Sequence, residues 1–355
     1  MSFETLIDKA LHNPLAPGGN KSVIGYVGAD IPIELILAAQ AHPVRLRGRS
    51  SSSTTNAERF LEASFSASSR RIAEQWLAGE LDALQAVIFS RSDDSAQRLY
   101  YYLCELQRTG QCAGPTPLLF DIAGIQRASS IAYTVESTQR LAASLGTLPE
   151  QLSRAIAQTQ RRSHLLTRLT EQRAMGRVLG TVAHRVLRAA ETRWTAEFDD
   201  AFERWLDSSR PMTAQRRLVL VGSEPADEHL HETLEAAGAT FIAEINEATH
   251  ADSEAHVHED PLVAIATRCH RRVHDAQALL RSADLLAGRV RTLQADGAVL
   301  WLAASDTGLA WEVPRIEHAL RSAGCAVLKL VLQEANADAA TLARVAHFSR
   351  TLEVQ

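Results

Sequence analysis

Three short loops hold the residues best suited to chemistry. Ser90-Arg91-Ser92-Asp93-Asp94-Ser95 sets hydroxyls, a cation and two adjacent acids directly after the apolar run Ala86–Phe89. Such a segment reads in two ways: as a site for acid–base work, or as a helix start at which Asp93 or Asp94 accepts backbone N–H bonds. Ala304-Ser305-Asp306-Thr307-Gly308 follows the run AVLWLA, and Gly28-Ala29-Asp30 follows SVIGYV. In open parallel sheets, functional residues collect in such loops at the carboxyl ends of strands.

Other motifs narrow the chemistry. Histidines crowd one region as His250, His256, His258, His270 and His274, the last two one helical turn apart beside Cys269. An i, i+4 histidine pair can grip a metal, but Arg268, Arg271 and Arg272 surround this one and repel a cation, so a solvated polar face is expected and no metal site. The four cysteines, Cys104, Cys112, Cys269 and Cys325, form no CxxC pair. They read as reduced thiols rather than a zinc site or a disulfide framework. There is no GxGxxG, GxxxxGK[ST] or GxSxG segment, which argues against NAD, ATP and a nucleophile-elbow hydrolase.

The elements that must position these loops alternate strand and helix. Ser22–Val27 reads as a strand, and Ile33–Ala41 as a helix with Asp30 as its cap, Pro32 in its first turn and Pro43 ending it. Val44–Leu46 is the next strand, Glu58–Gly79 is helical, Ala86–Phe89 is a buried strand, Ser95–Leu106 a helix, and Pro117–Ile122 a strand. From Tyr133 to Ser209 apolar residues recur only at helical spacing, which predicts three or four helices. The pattern then returns: strand Arg217–Gly222, helix His229–Ala237, strand Thr240–Ile245, helix Asp260–Leu286, strand Ala298–Ala303, helix Trp311–Ala323, strand Ala326–Leu330 and helix Ala339–Thr351. Alternation of this kind means βαβ units and a mostly parallel sheet. The fold class expected is α/β: two Rossmann-like parallel-sheet domains, 1–132 and 211–355, facing each other across a cleft, with a helical segment, 133–210, connecting them.

A chain of 355 residues is long enough for two domains, and 46% hydrophobic with 22% charged residues is ordinary for a globular protein. The net charge of −5, with lysine only at Lys9, Lys21 and Lys329, argues against a nucleic-acid partner. No apolar run reaches membrane-spanning length, and Met1–Leu11 lacks an apolar signal core, so a cytoplasmic location is expected.

In order along the chain, several segments resemble the 2-hydroxyacyl-CoA dehydratase and benzoyl-CoA reductase subunit family. They are Ile24-Gly-Tyr-Val-Gly-Ala-Asp-Ile-Pro-Ile-Glu34, Ala38-Ala39, His42-Pro-Val-Arg45, Phe60-Leu61, Gly79-Glu80-Leu81-Asp82, Asp94–Leu99, Ser144-Leu-Gly, Glu235-Ala-Ala-Gly-Ala and Ala295-Asp-Gly-Ala-Val. The resemblance covers nearly the whole chain. It implies a dehydratase-type subunit paired with a related subunit, as a hetero- or homodimer, with an acyl-CoA-like ligand. Members hold a [4Fe–4S] cluster through three cysteines. Those positions fall here at Ser66, Asp93 and Ser305, none of them cysteine. Soft thiolates suit iron–sulfur clusters, and hydroxyl or carboxylate oxygens do not replace them. The expectation is therefore a chain with no cofactor of its own, the cluster residing in a partner subunit. Two alternatives stay open: a repurposed, non-redox acyl-thioester enzyme in which Glu34, His42 and Asp93 serve as acid or base groups, or a non-catalytic scaffold or ligand-binding subunit.

Overall fold

A run such as AVIFS at 86–90, buried at every position, belongs where both faces of a strand are covered. The computed structural model describes residues 1–16, 21–49, 53–208, 216–246, 258–334 and 336–352. Its strands form two four-stranded sheets, all parallel, each wrapped by helices on both faces.

The chain opens with α1 (Phe3–His12), which the apolar pattern of the first residues had not suggested. Then come β1 (Val23–Val27), α2 (Ile33–Ala38), β2 (His42–Arg45), a 3-10 turn at Ala57–Arg59, α3 (Ala67–Leu77), β3 (Ala86–Ser90), α4 (Asp94–Arg108) and β4 (Thr116–Phe120). The strand order is β2-β1-β3-β4. Alternate residues feed two cores: Ile24, Tyr26 and Ile88 pack with α2, while Val87 and Phe89 pack with α3 and α4.

Four helices follow, α5 (Ala128–Leu145), α6 (Pro149–Ala174), α7 (Gly180–Ala190) and α8 (Ala196–Ser208). The second sheet then uses β5 (Arg216–Gly222), α9 (His229–Ala236), β6 (Ala239–Ile245), α10 (Pro261–Arg281), α11 (Ala283–Leu293), β7 (Gly297–Ala303), α12 (Thr307–Ala310), α13 (Val313–Ser322), β8 (Ala326–Gln333) and α14 (Ala339–Thr351). Its order is β6-β5-β7-β8, the same pattern as the first sheet. The fold class is thus α/β with two parallel-sheet, doubly wound units.

Local boundaries differ from the sequence reading for identifiable reasons. Pro43, expected to end a helix, lies within β2 opposite Ile24; β2 is an edge strand, where a missing N–H costs no ladder bond on the open side. The cap of α2 is Pro32, with no side-chain bond, so Asp30 is free of the capping role assigned to it. The single helix expected over 260–286 is two, because Ser282 adopts extended backbone and caps α11 by accepting from Leu285 N.

Packing sorts the chain into two units. The first comprises Met1–Leu165, Arg188–Phe202 and Ala251–His274; the second comprises Leu166–Leu187, Glu203–His250 and Asp275–Gln355. Division by element type had set 133–210 apart as one helical segment; by packing, its residues contribute to both units. Within the first unit, Arg162 shows why α8's start belongs there. It is 1% exposed, bonds Asp199 at 2.5 Å and the carbonyl of Arg193 at 2.8 Å, and lies over Trp194. No helix among the described residues is long and apolar enough to cross a membrane.

Candidate functional site

In each sheet the chain leaves its first strand to opposite sides, so the crevice between the first and third strands is the switch point at which doubly wound folds seat ligands. In the first unit this is the gap between the ends of β1 and β3. Two of the three loops marked in the sequence, 28–30 and 90–95, meet there. Gly28, with φ +111°, makes their approach possible: a Cβ on it would lie 2.4 Å from Ser90 Cβ. Ser90 Oγ lies 2.8 Å from Ser92 Oγ and accepts the Ser92 N–H at 3.0 Å.

Asp30 is the acid at the centre of this junction, and it is 3% exposed. Burial raises its pKa; the Ser90 and Ser92 hydroxyls and the Arg272 charge oppose the rise without cancelling it. Asp93 stands at the exposed rim and caps α4, accepting from Ala96 N at 3.0 Å. The protein around it, and then the Asp30 carboxylate, raise its pKa as well. α10 contributes Cys269, whose thiol burial pushes up to about 11, and Arg272, whose charge acts on both Asp30 and Cys269.

The other expected acid–base residues are engaged. Glu34 on α2 is held by Arg268 through both carboxylate oxygens, each at 2.7 Å, and by the Thr159 hydroxyl at 2.7 Å. Burial would raise its pKa, but Arg268 outweighs burial and keeps the carboxyl below the usual range. His42 on β2 donates from Nε2 to the Thr192 carbonyl at 2.8 Å. Burial pushes its pKa down to about 4, and its charged neighbours, Arg193, Lys21 and Arg162, are not those of Asp93.

The three positions that resemble cluster cysteines divide between the units. Ser66 caps α3, accepting from Ser69 N at 3.1 Å, and its own N–H donates to Ser95 Oγ at 3.0 Å, which brings it beside the start of α4 and so near Asp93. Ser305 belongs to the second unit, in the loop after β7 beside Asp306, which caps α12. That unit repeats the β1–β3 device: Gly222, φ +123°, ends β5 so close to β7 that a Cβ would lie 2.2 Å from the Trp301 carbonyl oxygen, and Ser223 Oγ donates to Asp306 at 3.0 Å. Oxygens at these positions, two of them already spent as helix caps, do not fit a cluster that binds thiolates. The four thiols lie elsewhere: Cys269 and Cys325 sit in different cores, Cys112 packs on a third, and Cys104 lies beside Tyr100.

A second polar knot escaped the sequence reading. His184 (α7), His231 (α9) and Glu244 (β6) converge in the second unit, with candidate ligand atoms within 4.8 Å of one another. Glu244 Oε1 takes Arg173 at 3.1 Å and His231 Nε2 at 3.0 Å. Despite burial, Arg173 and the two imidazoles keep Glu244 well below the usual carboxylate range, and burial pushes His231 down to about 4. Arg173 already supplies the positive charge a metal would bring, so the arrangement is a buried ion pair flanked by two imidazole rings. His270 and His274, expected on a solvated polar face, stack edge to face on α10 with ring centroids 4.6 Å apart, and His270 is buried instead, at 1% exposure. His250 and His256 lie outside the described residues.

A family model described as 2-hydroxyglutaryl-CoA dehydratase, D-component, matches residues 29–352. No curated protein matches. Among solved structures, the SBP FpvC from Pseudomonas aeruginosa in complex with Mn2+ is 12% identical, over 94% of this chain and 97% of that one, with a TM-score of 0.24. The same protein in complex with Ni2+ is 11% identical, over 94% and 95%, with a TM-score of 0.23.

Proposed function

The chain belongs to the 2-hydroxyglutaryl-CoA dehydratase D-component family, and on that premise we propose that it is a subunit of a 2-hydroxyacyl-CoA dehydratase-type enzyme that binds an acyl-CoA-like ligand without a [4Fe–4S] cluster of its own. The observation that carries the reading is the donor set. Ser66, Asp93 and Ser305 offer hard oxygens, and Ser66 and Asp93 spend theirs on helix N-termini. A hydroxyl or carboxylate already accepting a backbone N–H has little reason to exchange it for iron. Cysteines elsewhere have raised pKa values, which disfavours the thiolate form that iron binds.

In this reading the chain acts in the cytoplasm, paired with a related subunit that keeps its cysteines and carries the redox step. This chain contributes a ligand-binding junction at β1 and β3, where hydroxyls and acids meet at a strand-end crevice. The test is the iron and acid-labile sulfide content of anaerobically purified protein, alone and co-expressed with a three-cysteine family subunit. Iron and sulfide only in the co-purified pair are expected. Stoichiometric iron and sulfide in the isolated chain, with the visible absorbance of a thiolate-bound cluster, would overturn the reading.

A further inference from the structure

The first unit holds a cavity of about 320 Å³ that the function proposed above does not use. It lies beyond the carboxyl ends of β3 and β4, neighbours in the sheet, on the side of the fold where such sheets seat ligands. Arg91 comes to it from the loop after β3 and Ile125 from the loop after β4. Arg127, Ser129, Ser130 and Tyr133 come from the start of α5. Two of these side chains are fixed at the wall by one acid. Asp121 takes Arg91 Nη1 at 2.5 Å and accepts the Tyr133 hydroxyl. A guanidinium has five N–H donors, so Arg91 keeps others for a ligand. Arg127 is exposed, and its guanidinium has no partner among the described residues. Ile125, a large apolar side chain, stands 57% exposed at the same wall. α5 begins here with no side-chain cap, and Ser129 and Ser130 set two hydroxyls in its first turn.

We propose that this cavity binds a small phosphate monoester, with Arg127 as the anchor of its phosphate group. Asp121 balances Arg91, so the surplus charge at the wall is that of Arg127. An unbalanced guanidinium beside a second one, with hydroxyl donors between them, is complementary to an oxyanion and not to a cation. A phosphate presents three oxygens to donors arriving from different sides, here from Arg91, from Arg127 and from the first turn of α5. A carboxylate offers two oxygens in one plane, which a single arginine fork satisfies. The volume points to an ester. It falls within the roughly 300–1,000 Å³ of small-molecule sites, more room than a phosphate ion fills. Ile125 and the Tyr133 ring supply apolar surface for the organic part. The site lies at the β3–β4 end of the sheet, apart from the β1–β3 junction, and does not rest on the function proposed above.

Isothermal titration calorimetry on the intact chain at low salt tests this, with glycerol 3-phosphate and inorganic phosphate as probes. One glycerol 3-phosphate per chain should bind, inorganic phosphate should compete for the same site more weakly, and uncharged glycerol should not bind. Arg127→Gln should weaken glycerol 3-phosphate binding about tenfold or more, as loss of a charged hydrogen-bond donor does. Arg127→Lys, which keeps the charge, should recover part of that loss. Ile125→Ser should weaken the ester severalfold and leave inorganic phosphate unchanged. Arg108→Gln, at an exposed arginine paired with Glu105 on α4, is the control and should bind as wild type does. Far-ultraviolet circular dichroism of each variant separates a binding defect from a folding defect. No saturable binding of either probe, or equal affinity in wild type and Arg127→Gln, would overturn the site. Inorganic phosphate binding as tightly as the ester, with Ile125→Ser without effect, overturns the ester and leaves a site for the free ion.

Discussion

At the scale of single residues, buried charge is the dominant energetic fact. Glu244 stays ionised in the interior because Arg173 faces it at 3.1 Å and His231 donates to it. Removing one partner of such a pair strands the other, at a cost of about 3–5 kcal/mol. Glu244→Gln should therefore lower stability by about 3–5 kcal/mol in a urea titration. The double variant Arg173→Met with Glu244→Leu should lose much less, because it leaves no charge behind. If Glu244→Gln costs under about 1 kcal/mol, the pair does not hold the unit together. The imidazoles give a second consequence. His231 and His42 each have a folded pKa of about 4, below the ordinary value of 6.5. As pH falls through 6.5 the unfolded chain takes up these protons first, so stability is complete above that pH and is lost on acidification between about 6.5 and 4. Each accounts for about 3 kcal/mol by linkage. Thermal melts across pH 7 to 4 should show the fall, and His231→Gln should flatten it; an unchanged slope in that variant would remove His231 as a cause. Nothing in the sequence marked this knot, since His184, His231 and Glu244 come from three separate elements and only the fold makes them neighbours.

At the scale of elements, what was legible is what local physics dictates. β3 and β7 are buried along almost their whole length, so their apolar runs stand out, and loops 28–30 and 90–95 could be marked because strand ends carry function in such sheets. Asp93 as a helix cap was one of the two readings its position allowed, and the cap forms; Asp30, which the sequence placed as the cap of α2, does not cap that helix. Pro43 and Ser282 misled because a proline is tolerated on an edge strand and a serine can interrupt a helix by capping the next one. The paired glycines are a device that pattern alone did not reveal. Gly222 has φ +123° and would press a Cβ to 2.2 Å from a backbone carbonyl that cannot move alone, whereas Gly110, φ +69°, has open space around it. Gly222→Ala should cost about 2–4 kcal/mol, combining backbone strain with overpacking, and Gly110→Ala about 1 kcal/mol from strain alone. Equal melting temperatures for the two variants would mean that the close approach of β5 to β7 is not needed.

At the scale of the whole molecule, the order of segments in the chain differs from the order of packing. The first unit is completed by Ala251–His274, which lies after two strands of the second sheet have already been made. From that stretch α10 places Ile265, Cys269 and Val273 in the core beneath β1 and β3, and Arg268 against Glu34. A sequence reading cannot foresee this, because α10's apolar pattern fits any sheet and its partner acid stands at the other end of the chain. The consequence can be measured. A fragment of residues 1–210 retains every strand of the first sheet but lacks Arg268, which leaves the Glu34 carboxylate buried beside Thr159 alone. That loss should cost about 3–5 kcal/mol, a large share of the roughly 5–15 kcal/mol available to a folded protein. Baring the contacts of Ile265 and Val273 adds about 1.5–3 kcal/mol for each side chain. The fragment should show helical circular dichroism without a cooperative melt, and should be cut rapidly by protease within α2 and α5. In the full-length chain, Arg268→Leu isolates the electrostatic share and should lower the melting temperature while leaving the second sheet's proteolytic pattern unchanged. A 1–210 fragment that melts cooperatively at the full-length temperature would show that α10 decorates the first unit instead of completing it.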